Sequence, residues 1–250
     1  MKGLAFAFFA LTAVTGCTDD YSVVVTANKP SDTACAAGSG DTLGLVRGTL
    51  DVTSPLPDGT LNSGYALTPL VESALSRPST SGSNIGNPNG HIAYVHGADV
   101  EIISDGTDAS DRLVTALKAA GAAKRKERFT VAILPGGSAG MAFLVLDAVQ
   151  TQILSAAITG EELATIITRS TLFGDLDSTS FKALPFDYPI TVCKGCLIKD
   201  VGNCADFESS TEFEKGGICA PLQDKILSCC TLATGGKICP ALGTKPDMGN

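Results

Sequence analysis

The residues best suited to chemistry are the cysteines, nine in a chain of 250 residues: Cys17, Cys35, Cys193, Cys196, Cys204, Cys219, Cys229, Cys230 and Cys239. Cys193-Lys-Gly-Cys196 has the C-x-x-C spacing that serves a redox pair or half of a zinc site. Zinc would want a second thiol pair or nearby histidines. A redox pair works best at a helix start after a strand. Val192 can end a strand, but Leu197 to Gly202 forms no convincing helix. The pair therefore reads as a structural disulfide, with no metal and no cofactor expected. Asp105, Asp108 and Asp111 gather carboxylates in a turn that calcium would favour. Their spacing is not that of an EF-hand, and a capped turn entering a helix is the simpler reading. His91 and His96 lie five apart, so a continuous strand would place them on opposite faces.

Gly136-Gly-Ser138-Ala-Gly140 matches G-x-S-x-G, the strand-to-helix turn that exposes a nucleophilic serine in α/β hydrolases. That arrangement needs an acid and then a histidine after the serine, yet both histidines precede Ser138. The segment after Gly140 also begins as a strand would. A tight turn between strands is expected, and no catalytic residue is assigned.

The elements that must position these groups read as short strands. Tyr21–Ala27 and Leu43–Val52 have strand character, the latter with Val46, Gly48, Leu50 and Val52 facing one way. Tyr65–Leu75 is mixed, and Pro69 argues against a central strand there. Residues 76–90, rich in Ser, Gly, Asn and Pro, read as an exposed loop. His91–Ser104 alternates as a hairpin or a bent strand broken near Gly97. A helix over 109–120 is capped by Asp108, carries Leu113, Ala116, Leu117 and Ala120 on one face, and stops at Gly121. Lys124, Arg125, Lys126 and Arg128 read as a solvated connection. Strands follow at Phe129–Leu134, Met141–Val149 and Leu163–Leu172, with a turn or short helix running to Ile158. Phe181–Val192 is a last strand, which Pro185 and Pro189 assign to an edge or a bulge.

This spacing predicts a mainly β fold and resembles an immunoglobulin- or fibronectin-like β-sandwich with a disulfide-rich C-terminal extension, without the Cys…Trp…Cys core signature. The expected divisions are a signal peptide over 1–16, a lipidated N-terminus and tether over 17–41, the sandwich over 42–192, and the cysteine-rich extension over 193–250.

The N-terminus supplies an address. Lys2 is followed by an apolar run from Leu4 to Val14, which Thr12 interrupts. The run suits a signal peptide and falls short of the ~20 residues of a membrane span. Val14-Thr15-Gly16-Cys17 resembles a bacterial lipobox. The resemblance implies cleavage after Gly16 and acylation of Cys17 (diacylglycerol on sulfur, a palmitate-type chain on the amine). It thus implies a membrane-anchored extracytoplasmic lipoprotein whose partner is the lipid bilayer. Thr18, rather than aspartate, follows the cysteine, which leans toward the outer membrane of the bacterial cell envelope. Broadly, the chain resembles cysteine-containing lipoproteins of environmental Gram-negative bacteria.

Assigning Cys17 to lipid leaves eight cysteines, an even number for an oxidising compartment. Seven of them lie between 193 and 239, so full pairing requires Cys35 to bond to one of the seven. Such a loop would contribute roughly 4 to 5 kcal/mol through the unfolded state. Vicinal Cys229 and Cys230 are expected to take separate partners.

Loss of Lys2 with the leader takes the net charge from −8 to −9. That charge disfavours nucleic acid as a partner. The function expected is a noncatalytic binding or envelope-structural module with a protein or glycan partner. The alternative is an exported enzyme with hydrolase or thiol–disulfide chemistry.

Overall fold

The computed structural model describes residues 22–32, 35–37, 43–53, 64–75, 92–176, 179–206, 214–217, 219–233, 235 and 237–239. Cys17, the leader, His91 and the whole 76–90 segment lie outside them. Over the described residues the protein is mainly β, with two helices and four disulfides.

The N-terminal half contributes β1 (Val23–Asn28), β2 (Gly48–Asp51), β3 (Tyr65–Leu67), β4 (Pro69–Ser73) and β5 (Ala93–Ser104). Next come α1 (Asp108–Ala119), β6 (Lys124–Ile133), β7 (Ser138–Gly140), β8 (Phe143–Leu146) and α2 (Ala148–Ala157). The rest comprises β9 (Ala164–Leu176), β10 (Thr179–Lys182), β11 (Phe186–Cys193), β12 (Ile198–Asn203), β13 (Leu227–Thr231) and β14 (Lys237–Ile238). The principal sheet runs β2-β11-β9-β5-β6, with β10 folded back on β9. Smaller sheets are β1-β4-β7, β3-β8 and β12-β13-β14.

One face of the principal sheet is apolar because its long strands alternate. Along β9 Ala164, Ile166, Thr168, Ser170 and Leu172 turn inward. Helix α1 covers that face with Leu113, Val114 and Leu117, and α2 packs beside it through Leu154. Each fully buried Leu or Ile contributes about 1.5–3 kcal/mol. The opposite face carries Asp99, Glu101, Lys124, Lys126 and Arg169 to solvent.

Several expectations are corrected. Helix α1 is capped by Thr107, whose side chain accepts from the Ser110 N–H, and Asp108 is its first helical residue. The basic cluster is the start of strand β6: Lys124 pairs with Glu101 and Lys126 with Asp99 on β5, while Arg125 reaches Glu127 and Asp147. Strand pairing therefore holds a segment that, read as a charge run, looked like a connection. The final strand is inside the sheet, between β2 and β9, rather than at an edge. Pro189 is accommodated because β2 begins only at Gly48, opposite Ile190, so the strand on that side does not extend to the proline. Pro69 likewise opens the central strand β4, where it interrupts nothing. Val46 is 85% exposed, apart from buried Leu50 and Val52.

His91–Ser104 resolves into one bent strand from Ala93. At Gly97 the pairing with both neighbours shifts register, and a Cβ there would meet the Glu127 carbonyl and the Phe173 ring. Only glycine fits such a bulge. The helices and the parallel β2–β11 pair are features that an immunoglobulin-type sandwich lacks.

The C-terminal segment has two small cores of its own, Leu222, Leu227, Cys229 and Cys239 with Ile198, and Cys204, Cys230 and Ile238 with Val201 and Leu232. Cysteine sulfur supplies much of their apolar volume. Cys204 bonds to Cys230 and Cys229 to Cys239, so the vicinal cysteines take separate partners. Cys35 bonds to Cys219, 184 residues away.

Candidate functional site

Parallel pairing places the site. Strands β2 and β11 run together with Val192 beside Leu50 and Cys193 beside Asp51, so both strands end at the same point. The Val52 N–H donates to the Cys193 carbonyl at 2.8 Å and carries the pairing one step further. On its other side β2 is held by the tail: the Asp51 N–H donates to the Leu222 carbonyl at 3.0 Å. Asp51 is thereby enclosed from two directions and is fully buried.

Beyond Cys193 the chain turns through Lys194 and Gly195, whose φ of +81° suits glycine, and Cys196 returns to bond with Cys193. Asp51 organises this turn. Its Oδ1 accepts from the N–H groups of Gly195 at 2.8 Å and Thr53 at 2.9 Å, and its Oδ2 from that of Leu197 at 2.8 Å. The two sulfurs differ sharply in access. Cys193 is 1% exposed and its Sγ lies 3.6 Å from the Leu50 carbonyl oxygen, whereas Cys196 is exposed.

Ligand atoms of Asp51, Cys193 and Cys196 all lie within 4.8 Å of one another, the one such set of three His, Cys, Asp or Glu residues among the described residues. Beside them, Thr53 Oγ1 is buried and has no hydrogen-bond partner. A Cβ on Gly195 would stand 4.0 Å from that hydroxyl.

The other candidates are not assembled. Ser138 is exposed on β7 opposite Glu72, after a turn closed by the Gly137 N–H to the Leu134 carbonyl at 2.8 Å. His96 is engaged elsewhere, its Nε2 3.0 Å from Asp175 Oδ2. Asp105 accepts from the Thr107 N–H and hydroxyl at 3.0 and 2.7 Å, which hold its carboxyl below the usual range and shape the turn into α1. Asp108 and Asp111 lie in the first turn of that helix, where the dipole favours them.

A second buried polar group was not visible in the sequence. Asp224, at a φ of +60°, reaches from the tail into the main core. It accepts from the Tyr65 hydroxyl at 2.7 Å, the Thr49 N–H at 2.6 Å and the Gln223 amide at 3.2 Å. Tyr188 Oη lies 3.3 Å from that of Tyr65. Burial is the main cause that pushes the Asp224 carboxyl above its ordinary value, and it raises both phenols as well. A cavity of about 200 Å³ adjoins Asp224, lined also by Lys29, Leu45, Thr68 and the Cys35–Cys219 bridge.

No protein-family model, curated protein or solved structure matches this chain. The functional argument rests on the site's own chemistry.

Proposed function

We propose that this protein is an exported thiol–disulfide protein, tethered at the bacterial envelope through lipidated Cys17, whose working group is the Cys193–Cys196 couple. The observation that carries the reading is asymmetry: one sulfur of a three-residue-spaced pair is open to solvent, and the other is buried within 4.8 Å of a buried carboxylate oxygen.

In the reduced state Cys196 is the attacking thiolate, since a partner can reach it. It attacks a partner disulfide, forming a Cys196–partner bond and releasing one partner sulfur as thiolate. The Cys193 thiol then gives up its proton and attacks Cys196 Sγ. The second partner sulfur leaves and takes up a proton, and the Cys193–Cys196 bond is restored. Two electrons pass from the protein dithiol to the partner disulfide, and reversal reduces the protein at the expense of a partner dithiol. Thiolate character and access set such rates. Access here favours Cys196 over Cys193.

The compartment is supported by the pairing of the other eight cysteines into four bridges, which leaves none to bond with Cys17. The outer-membrane address remains part of this proposal and rests on Thr18 after the lipobox. The immunoglobulin- or fibronectin-like comparison is proposed only for the antiparallel β11-β9-β5-β6 core, with the helices and β2 as additions.

The test is graded reduction of the folded protein with a small dithiol, followed by alkylation and peptide mapping. The Cys193–Cys196 bond is expected to open while Cys204–Cys230 and Cys229–Cys239 stay closed. Cys193→Ser should trap a mixed disulfide on Cys196. Opening only upon unfolding sinks the redox reading and restores the noncatalytic binding module.

A further inference from the structure

Reduction of this couple leaves more than two thiols. It leaves two sulfur donors and a buried carboxylate converging on one small volume, with the unsatisfied Thr53 hydroxyl at its margin. We propose that the reduced protein binds a borderline divalent cation of the zinc class through Cys193, Cys196 and Asp51, so that metal capture is gated by the redox state of the couple. This rests on the redox reading above, because the oxidised pair has no thiolate to offer.

The chemistry of the donor set supports it. Thiolates select soft and borderline metals, and a carboxylate oxygen completes such sets. Two thiolates beside a carboxylate would crowd three negative charges, two of them on buried Asp51 and Cys193. A divalent cation relieves that repulsion, and its binding releases the two thiol protons. The carboxylate is also fixed in advance. Three main-chain N–H groups hold it from Thr53, Gly195 and Leu197. Of the roughly four lone-pair sites on a carboxylate, these leave about one for a further ligand. Oriented ligands of this kind raise affinity because little ordering remains to be done. Thr53 Oγ1 is a buried oxygen with no partner in the oxidised fold. Such a group is costly to leave unpaired, and a bound cation's water could satisfy it.

The electron and proton balance is closed. A partner dithiol reduces the Cys193–Cys196 bond and becomes a disulfide. The protein dithiol then loses two protons as the cation binds. A partner disulfide oxidises the two thiolates, takes up the two electrons with two protons from solvent to become a dithiol, and the cation leaves, so a change in redox poise becomes a change in free metal.

The experiment uses the whole folded chain, reduced under anaerobic conditions, with the Cys193 and Cys196 thiols confirmed by alkylation mapping, and titrated with Co²⁺ and then Zn²⁺. The expected result is one equivalent of Co²⁺ with a thiolate-to-cobalt charge-transfer band, displaced by Zn²⁺, and no band from the oxidised protein. Cys196→Ser should abolish the band. Asp51→Asn should weaken binding by at least about tenfold, the scale on which even outer partners of a metal act. If Asp51→Asn fails to fold, Cys196→Ser, altered at an exposed residue, carries the comparison. Free Cys193 and Cys196 thiols with no cobalt band overturn the metal site and leave the redox reading standing. A pair that cannot be reduced in the folded protein overturns both, and the thiol count tells the two failures apart.

Discussion

Asp51 and Asp224 are both enclosed carboxyls on the two sides of β2, yet their surroundings ask different things of them. Asp51 is met by three backbone donors, whereas Asp224 faces one backbone donor, an amide and a phenol in an apolar setting. Burial raises Asp224 above its ordinary value of 3.8. Between that value and the raised one, the folded state holds a proton that the unfolded state has lost. Stability should therefore fall as pH rises through this window. Asp224→Asn removes the titration and keeps an oxygen for the Thr49 N–H, while its amide can donate to the Tyr65 hydroxyl in place of Oδ2. Denaturation midpoints measured across the window should decline less steeply with pH in the variant than in the parent, and equal slopes would refute the assignment. Asp224→Ala should cost about 1–3 kcal/mol because the Tyr65 and Thr49 donors lose their acceptor. Neither aspartate announces itself in the sequence. Asp51 follows a short strand and Asp224 sits in a cysteine-rich tail. The packing of residues 222–224 against β2 encloses both, and β11 with its following turn closes over Asp51 from the other side. Cys193 and Cys196 were legible from spacing alone, but their unequal access was not, because it depends on which side of the β2–β11 pair the turn falls.

At the scale of elements, alternation and capping were readable wherever local chemistry decided the outcome. The long strands β5 and β9 follow their period-two patterns, and the glycine bulge falls where the pattern weakened. Helix α2 carried a signal that was passed over. Asp147 and Gln150 form a capping box, with Gln150 N–H to Asp147 Oδ1 at 2.8 Å and Asp147 N–H to Gln150 Oε1 at 2.9 Å. The D-x-x-Q pattern preceding an apolar run marks such a start. Gln150 is also tied by its amide to the Ala122 carbonyl at 2.7 Å, so the box docks the helix as well as starting it. Asp147→Ala should destabilise the protein by about 1 kcal/mol in chemical denaturation. No change would mean that tertiary packing alone holds the helix. The strand beginning at Lys124 was missed for the opposite reason: its partners, Asp99 and Glu101, lie on a neighbouring strand, and no window along the chain contains both.

Across the whole molecule the tail is not an appendage. It closes the main-sheet edge at β2, sends Asp224 to the Tyr65 hydroxyl, and is bonded at Cys219 to Cys35. The sequence indicated a bridge from Cys35 to the cluster through parity, but it had no means to choose Cys219 among seven. Replacing Cys35 and Cys219 together by Ser should lower stability by roughly 2–5 kcal/mol, since the bond constrains an unfolded loop most of the chain in length. Urea denaturation of the double variant reads this directly, and an unchanged midpoint would show that the tail is held by packing alone.

That bridge has a consequence for turnover at a cell surface. A protease that cuts anywhere between residues 35 and 219 severs the backbone but leaves both fragments joined through sulfur. With the proposed anchor at Cys17, a nicked molecule would keep its C-terminal piece at the membrane. Shedding then takes two independent events, a cut and a reduction, or a cut within the few residues between anchor and bridge. The protein would appear intact on a non-reducing gel long after its chain had been broken.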